Sequence, residues 1–261
     1  MFTERPMSTN RMVIYDLLQR TRRYHCPVGG HYEWDVTNTL ARISALQDAG
    51  EPISPAAFMT KASATVLQEF PQLNKRLFYG LTGPRIVTFD EISCNLVILR
   101  KGASGKDILF PLVIRNVDQK SVYEIAEIIR SHKTMPLGQV PQIRQMKALK
   151  KIPRPLLKLH NLKVRTDPRY FIKRFGTYGM SALTHQNSGL TGGQALAPST
   201  TFYPTNIQDK PVVYNGEIAI RTMVLFGVMV DHYIVDGMKT LKACQRLREL
   251  IEEPEHILGQ P

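Results

Sequence analysis

The stretch from 211 to 252 restricts the fold more than any other. Two apolar runs flank Asn215-Gly216, a residue pair that favours a two-residue hairpin turn. The second run, EIAIRTMVLFGVMV (217–230), reads as one long strand. It passes straight into Asp231-His232-Tyr233-Ile234-Val235-Asp236-Gly237 and then into a helix predicted over 237–252. That helix would bury Met238, Leu241, Cys244 or Ala243, Leu247 and Ile251. Gly237 allows a tight passage from strand to helix. A chain built this way puts His232 at the end of a rigid strand, with Asp236 four residues later at a helix start.

The rest of the chain is mixed α and β without regular alternation and without a G-x-G-x-x-G turn. Helices are predicted over 12–24, 39–48, 54–70 and 121–131, and strands over 31–37, 76–79, 85–89, 93–99, 109–115 and 177–183. Ser54 before Pro55, and Ser121, are N-cap signals. Within 54–70, Phe58, Ala62, Thr65 and Val66 would share one buried side, and Pro71 ends the helix. Between 133 and 173 come Pro136, Pro141, Pro153, Pro155 and Pro168, so only short helices fit there. No internal repeat or composition break divides the chain. Residues 1–261 therefore read as a single domain with a basic, proline-containing insertion at about 133–175.

Composition excludes several classes. Hydrophobic residues make up 43% of the 261, the share of a chain that buries a core. No apolar run reaches the length of a membrane-spanning helix, and the N-terminus has no signal-peptide pattern. Cys26, Cys94 and Cys244 are an odd, scattered set that predicts neither a disulfide framework nor a metal site and points to a reducing cytoplasm. The formal charge is +12, and ten of those charges lie between Arg144 and Arg174, where eleven Lys and Arg face the single acid Asp167. The remainder is near neutral. No nucleic-acid motif accompanies the cluster, which argues against a nucleic-acid binder.

A neutral imidazole at a strand end can face a cleft and take a proton from a hydroxyl, thiol or amine as it attacks a carbonyl. Asp236 could orient that ring or anchor its loop. The motif D-H-Y-I-V-D-G fits the H-x-x-x-D-G of chloramphenicol acetyltransferases and of the catalytic domain of dihydrolipoamide acyltransferases, the core subunits of 2-oxo acid dehydrogenase complexes. PVVYNGEIAIRTMVLFGVMVDHYIVDGMKTLKACQRLRELIEEPEHIL resembles the C-terminus of the latter nearly throughout. SPAAFMTKASATVLQEFPQLNKR resembles its helix ending in P-x-L-N, and FPLVIRNVDQKSVYEIAEI its P-V-I-R strand and following helix. The resemblance covers most of 10–132 and 176–256.

That resemblance implies a chloramphenicol-acetyltransferase-like α/β fold, a two-layer sandwich of a mixed β-sheet and helices. It implies a homotrimer, or a larger cubic assembly of trimers, with each site in a cleft between subunits. The activity it implies is transfer of an acyl group from coenzyme A, or from a pantetheine carrier, to a small hydroxyl, amine or thiol acceptor. Acyl-coenzyme A would be a cosubstrate, and neither a metal nor a bound cofactor is implied. His232 takes the position of the family's general base. Asp236 takes that of its structural aspartate, whose partner is an N-terminal arginine, here Arg11 or Arg20. Ser181, within GTYGMSALT (176–184), takes the position of the oxyanion donor, with Thr177 and Thr184 as alternatives. Such a donor contributes roughly 3 kcal/mol to transition-state stabilisation. The chain departs from the family at Tyr233, where arginine is usual, and at Ala182, where Asn or Ser is usual. It shows no lipoyl domain, subunit-binding domain or Ala/Pro linker, which favours a stand-alone acyltransferase. The alternative is a non-catalytic trimeric scaffold or binding protein of the same fold that keeps the motif for structural reasons.

The basic segment, RQMKALKKIPRPLLKLHNLKVRTDPRYFIKRF, has Met146, Leu149, Ile152, Leu156 and Leu159 at rough helical spacing, interrupted by Pro153 and Pro155. Unpaired Lys and Arg are very costly to bury, so the segment must be exposed or lie on an anionic partner. The pattern predicts short helices across the surface beside the site, with lysines outward and the leucine side covered either by the domain or by something else. Residues 144–174, with Lys147, Lys150, Lys151 and Lys158, would serve coenzyme A phosphates, an acyl carrier protein or an anionic membrane surface.

Overall fold

The computed structural model describes residues 15, 19, 23–80, 82–102, 105, 107–149, 152, 154–182, 185, 186 and 198–259. In chain order the elements are β1 (Pro27–Asp35), α1 (Thr37–Asp48), α2 (Pro55–Glu69), β2 (Lys75–Gly80), β3 (Gly83–Thr88), β4 (Cys94–Lys101) and β5 (Asp107–Ile114). There follow α3 (Val122–Thr134), α4 (Pro141–Leu149), α5 (Arg154–Thr166), α6 (Pro168–Phe175), β6 (Tyr178–Met180) and β7 (His185–Gln186). The chain closes with β8 (Thr200–Tyr214), β9 (Glu217–Asp231), α7 (Gly237–Glu252) and α8 (Glu255–Leu258).

The architecture is a two-layer α/β sandwich. Its sheet has the order β1-β9-β8-β6-β4-β5, with β7 also paired to β8. Short β6 runs parallel to both β4 and β8, and the pairs β1–β9, β8–β9 and β4–β5 are antiparallel. On the helical layer α2 packs between α3 and α7. The hairpin β2–β3 forms a separate two-stranded sheet.

Local chemistry explains these elements. Ser54 Oγ accepts the Ala57 N–H at 3.3 Å, and Pro55 fills the first turn of α2, where its missing N–H costs nothing. Ser121 and Glu124 form a reciprocal capping box at the start of α3, with bonds of 3.2 and 2.7 Å. Asn215 and Gly216 take φ of 53° and 85°, the two positive values of a turn that matches strand twist. That turn sets Tyr214 opposite Glu217 and fixes the register of the longest strand pair.

Some elements differ from the sequence-based expectation. α2 is buried on nearly every side, including Ala57, Met59, Ser63, Ala64 and Leu67, because its small residues let α3 and α7 close in on both flanks. β1 begins at Pro27 and ends at Asp35, and Thr37 already belongs to α1. β8 begins at Thr200, eleven residues before Pro211. Pro204 and Pro211 both lie inside this strand, which absorbs the first with an irregularity between Pro204 and Ile207. There Thr205 Oγ1 donates to Leu225 O at 3.1 Å. The strand predicted over 177–183 shrinks to Tyr178–Met180, and 183 and 184 lie outside the described residues. In α7, Ala243, Cys244, Leu247, Leu250 and Ile251 are buried, whereas Met238 and Leu241 are 66% and 41% exposed. Most of the helix expected over 12–24 also lies outside the described residues.

The basic, proline-broken segment forms the three short helices α4, α5 and α6. Ile143 and Phe171 are buried, and Phe171 joins Phe78 and Phe89 in a small second core that ties α6 to the β2–β3 hairpin. Lys163, Arg169 and Lys173 are exposed as expected. The domain does not cover Leu156 and Leu159, which are 55% and 53% exposed. The side chains of Lys147 and Lys158, and all of Lys150 and Lys151, lie outside the described residues.

One glycine carries packing that no other residue could. Tyr203 on β8 lies opposite Gly227 on β9, and a Cβ at Gly227 would fall inside the Tyr203 ring. Tyr203 also meets His31 of β1 edge to face, with centroids 5.4 Å apart. Gly227→Val is expected to cost about 1–3 kcal/mol through this overpacking, read as a lower urea midpoint with an unchanged slope.

Candidate active site

β9 ends at Asp231, and the chain turns tightly before α7. The His232 N–H donates to Cys26 O at 2.8 Å, tying the turn to the residue before β1. The N–H groups of Ile234 and Val235 both donate to Asp231 O, at 3.0 and 3.2 Å. His232 Nδ1 stands 3.0 Å from Val235 O. A carbonyl can only accept, so Nδ1 carries the proton and Nε2 keeps its lone pair. His232 is exposed in the single chain, and so is Tyr233.

Asp236 precedes α7, but its carboxylate makes no cap bond. It is 81% exposed and its ion-pair partner is Lys239, at 3.8 Å. Arg11 and Arg20 lie outside the described residues.

The turn is anchored by Asp231, a residue of the motif to which sequence reasoning assigned no role. Its side chain is 2% exposed. Oδ1 accepts the N–H of Cys26 at 3.0 Å and of Tyr233 at 3.2 Å, and Oδ2 pairs with His25 Nδ1 at 2.5 Å. Burial alone would raise the Asp231 carboxyl. The hydrogen bonds from His25, Cys26 and Tyr233 outweigh it and hold the group below the usual carboxylate value.

The other nitrogen of His25 meets Arg76 Nη2 at 3.0 Å. A guanidinium only donates, so Nε2 is the acceptor, Nδ1–H points to Asp231, and His25 is neutral. Burial, the largest influence, and the Arg76 charge lower the His25 pKa against the opposing pull of Asp231. Arg76 itself is pushed down to about 9 by burial and remains a cation at neutral pH. Its guanidinium carbon lies 4.2 Å from the Phe171 ring centre. A signal for this network exists in KRLFYG: Arg76 and Phe78 share one strand face, so an arginine points inward beside an aromatic.

Ser181 lies just past β6, its N–H donating to Phe202 O at 3.0 Å. The register places Met180 beside Phe202 and Phe202 beside Val228. β9 runs opposite to β6, so His232 and Ser181 sit at opposite ends of their strands. Five residue steps and two strand spacings separate them, roughly 20 Å. Thr177 is buried, and its Oγ1 accepts the Ser93 N–H at 3.1 Å, so this hydroxyl is committed to the fold. Thr184 is outside the described residues. A cavity of about 290 Å³ opens on Ser181's end, lined by Ser54, Ala56, Ile98, Ile129, Lys133 and Ala182.

Comparisons with known proteins bear on the family and the fold. The model of the family 2-oxoacid dehydrogenases acyltransferase (catalytic domain) matches residues 1–139 and 204–259. The lipoamide acyltransferase component of the branched-chain alpha-keto acid dehydrogenase complex of Bacillus subtilis is 26% identical over 255 residues, covering 95% of this chain and 52% of that protein. The chain thus spans about half the length of the curated relatives it matches. Among solved structures, the cubic core of the pyruvate dehydrogenase multienzyme complex superposes with TM-score 0.70 at 19% identity, covering 99% of this chain and 94% of that one. The dihydrolipoamide acetyltransferase of Azotobacter vinelandii gives TM-score 0.67 at 19% identity with the same coverage, 99% and 94%. With its sheet order, its strand-end histidine and three quarters of its length matched, the chain belongs to the 2-oxoacid dehydrogenase acyltransferase catalytic-domain family.

Proposed function

We propose that the chain transfers acyl groups between the thiol of coenzyme A and a lipoyl thiol, with His232 as general base. The observation that carries this reading is the His232 ring, fixed by Val235 O with Nε2 left as the accepting nitrogen. The relatives, named for lipoamide and dihydrolipoyllysine, support a thiol among the hydroxyl, amine and thiol acceptors. Nε2 takes the proton of the attacking thiol, and the thiolate adds to the thioester carbonyl. Ser181 donates to the oxyanion that forms. Collapse breaks the old C–S bond, and the departing thiolate recovers the proton from His232.

The separation of Ser181 and His232 supports a site shared between two copies in a homotrimer. Tyr233, Met238 and Leu241, exposed at 62%, 66% and 41%, would form the apolar rim that a neighbour covers. The cavity beside Ser181 then receives the acyl group, and exposed Asp236 is free to meet a cation from another segment. We read residues 1–261 as one acyltransferase domain whose insertion includes α4, α5 and α6, since the family model leaves 140–203 unmatched.

Two experiments test this reading. Thiol release from a panel of acyl-coenzyme A donors should be fastest with dihydrolipoamide and negligible with hydroxyl or amine acceptors. Ser181→Ala should lower turnover about 10²–10³-fold. Co-assembled Ser181→Ala and His232→Ala protomers should recover about a quarter of wild-type activity, because one interface in four pairs an intact serine with an intact histidine. Recovery no greater than either variant alone would overturn the shared site.

A further inference from the structure

We propose that the outward face of α5 is a docking surface for an anionic phospholipid bilayer. This inference does not depend on the catalytic reading.

The helix has two distinct sides. Its inner side is fastened to the domain. Val164 packs against the Phe78, Phe89 and Phe171 cluster, Arg165 Nη1 donates to Tyr24 Oη at 2.6 Å, and Arg85 donates to Thr166 O at 2.9 Å. On the other side Leu156, Leu159 and Leu162 recur every third residue, exposed at 55%, 53% and 46%. Exposed Lys163 falls among them at helical spacing. The helix is therefore held in place with Leu156, Leu159 and Leu162 turned away from the core, a row about 9 Å long. A surface helix normally turns its leucines inward, so this arrangement calls for an occupant.

Charge selects that occupant. Eleven cations and one acid lie between Arg144 and Arg174. The single acid, Asp167, is already engaged, accepting the N–H groups of Arg169 and Tyr170 at 2.9 and 3.1 Å as the cap of α6. The segment has no internal counter-charge to spare. A second copy brings the same basic segment, so its net charge opposes docking there. An acidic protein would answer the cations but gives no reason for an uninterrupted leucine row. A bilayer surface answers both, with lipid phosphates meeting Lys and Arg and the leucines entering the boundary of the acyl chains. The family model leaves 140–203, and with it α5, unmatched.

The test is flotation of the full chain with phosphatidylcholine vesicles, with and without phosphatidylglycerol. Binding is expected only to the anionic vesicles at about 0.1 M salt. It should disappear near 1 M, where the screening length falls from about 10 to about 3 Å. Leu156→Asn, Leu159→Asn and Leu162→Asn together should weaken binding on the order of 10²–10³-fold, roughly tenfold per leucine. Lys163→Gln, Arg169→Gln and Lys173→Gln together should weaken it about 10²-fold, near fivefold per cation. All six positions are exposed, and thermal melting checks that each triple variant folds. No binding to anionic vesicles overturns the proposal, as does equal binding to neutral ones or binding unaffected by the leucine changes. A leucine variant that lowers the oligomeric state in sedimentation would assign the face to a second copy. Polyglutamate that binds where vesicles do not would assign it to an acidic protein. Either result overturns the bilayer.

Discussion

His232→Ala is expected to lower turnover about 10²–10⁴-fold, with the melting temperature unchanged and thioester donors still bound. The size follows from the step that is lost. Without Nε2 the attacking thiol must ionise unaided, and the oxyanion donor and substrate positioning are all that remain. Folding should be spared because the ring is exposed and makes one side-chain bond, to Val235 O. The turn itself is held by backbone bonds and by Asp231, none of which needs an imidazole. Steady-state kinetics of thiol release checks this: kcat should fall far more than KM changes. Turnover within a few-fold of wild type would instead favour a non-catalytic protein that keeps the motif for its fold.

The frame of that site was legible because local chemistry and global packing agree along 211–252. Asn215-Gly216 demanded positive φ at two successive residues, and the alternating run after it could only be a strand. His232 at the strand end followed from that. Helix starts at Ser54 and Ser121 were legible for the same reason, since their caps are made by neighbours in sequence. What stayed hidden depends on distant partners. The length of β8 was masked by Pro204 and Pro211, which a strand tolerates only where the ladder is interrupted or at an edge. The outward leucines of α5 were hidden because periodicity finds an apolar stripe without saying which side the domain occupies. Asp231, His25 and Arg76 meet only because β9 and β1 lie side by side and β2 packs near their end. Sequence separations of 206 and 51 leave no local trace of those bonds.

Asp231→Ala is expected to destabilise the fold by about 3–5 kcal/mol and to lower turnover of the protein that remains folded. The carboxylate is the common acceptor for His25 Nδ1–H and for the N–H groups of Cys26 and Tyr233. Removing it leaves three donors unsatisfied and takes away a negative charge that favours the Arg76 cation. Asp231→Asn keeps one oxygen for the two backbone donors and should cost less, which separates the loss of the turn from the loss of charge. The same network predicts how stability varies with acidity. The folded pKa of His25 lies below 6.5, so in the window just under that value the unfolded chain holds the extra proton. The His25 contribution is complete above about pH 6.5 and is lost as pH falls through the lower folded value. Asp231 is shifted below 3.8, so its contribution persists above about pH 4 and is lost only as pH drops further. The described ionisable groups around this network include the phenols of Tyr24, Tyr79 and Tyr233, the Cys26 thiol, the His232 imidazole and Arg165. Urea midpoints should therefore fall between about pH 7 and pH 5 in the wild type, and His25→Gln should flatten that slope without touching the steeper loss below about pH 4. A wild-type slope that survives His25→Gln would place the titrating group elsewhere. A cost below about 1 kcal/mol for Asp231→Ala would mean that the backbone alone holds the His232 turn.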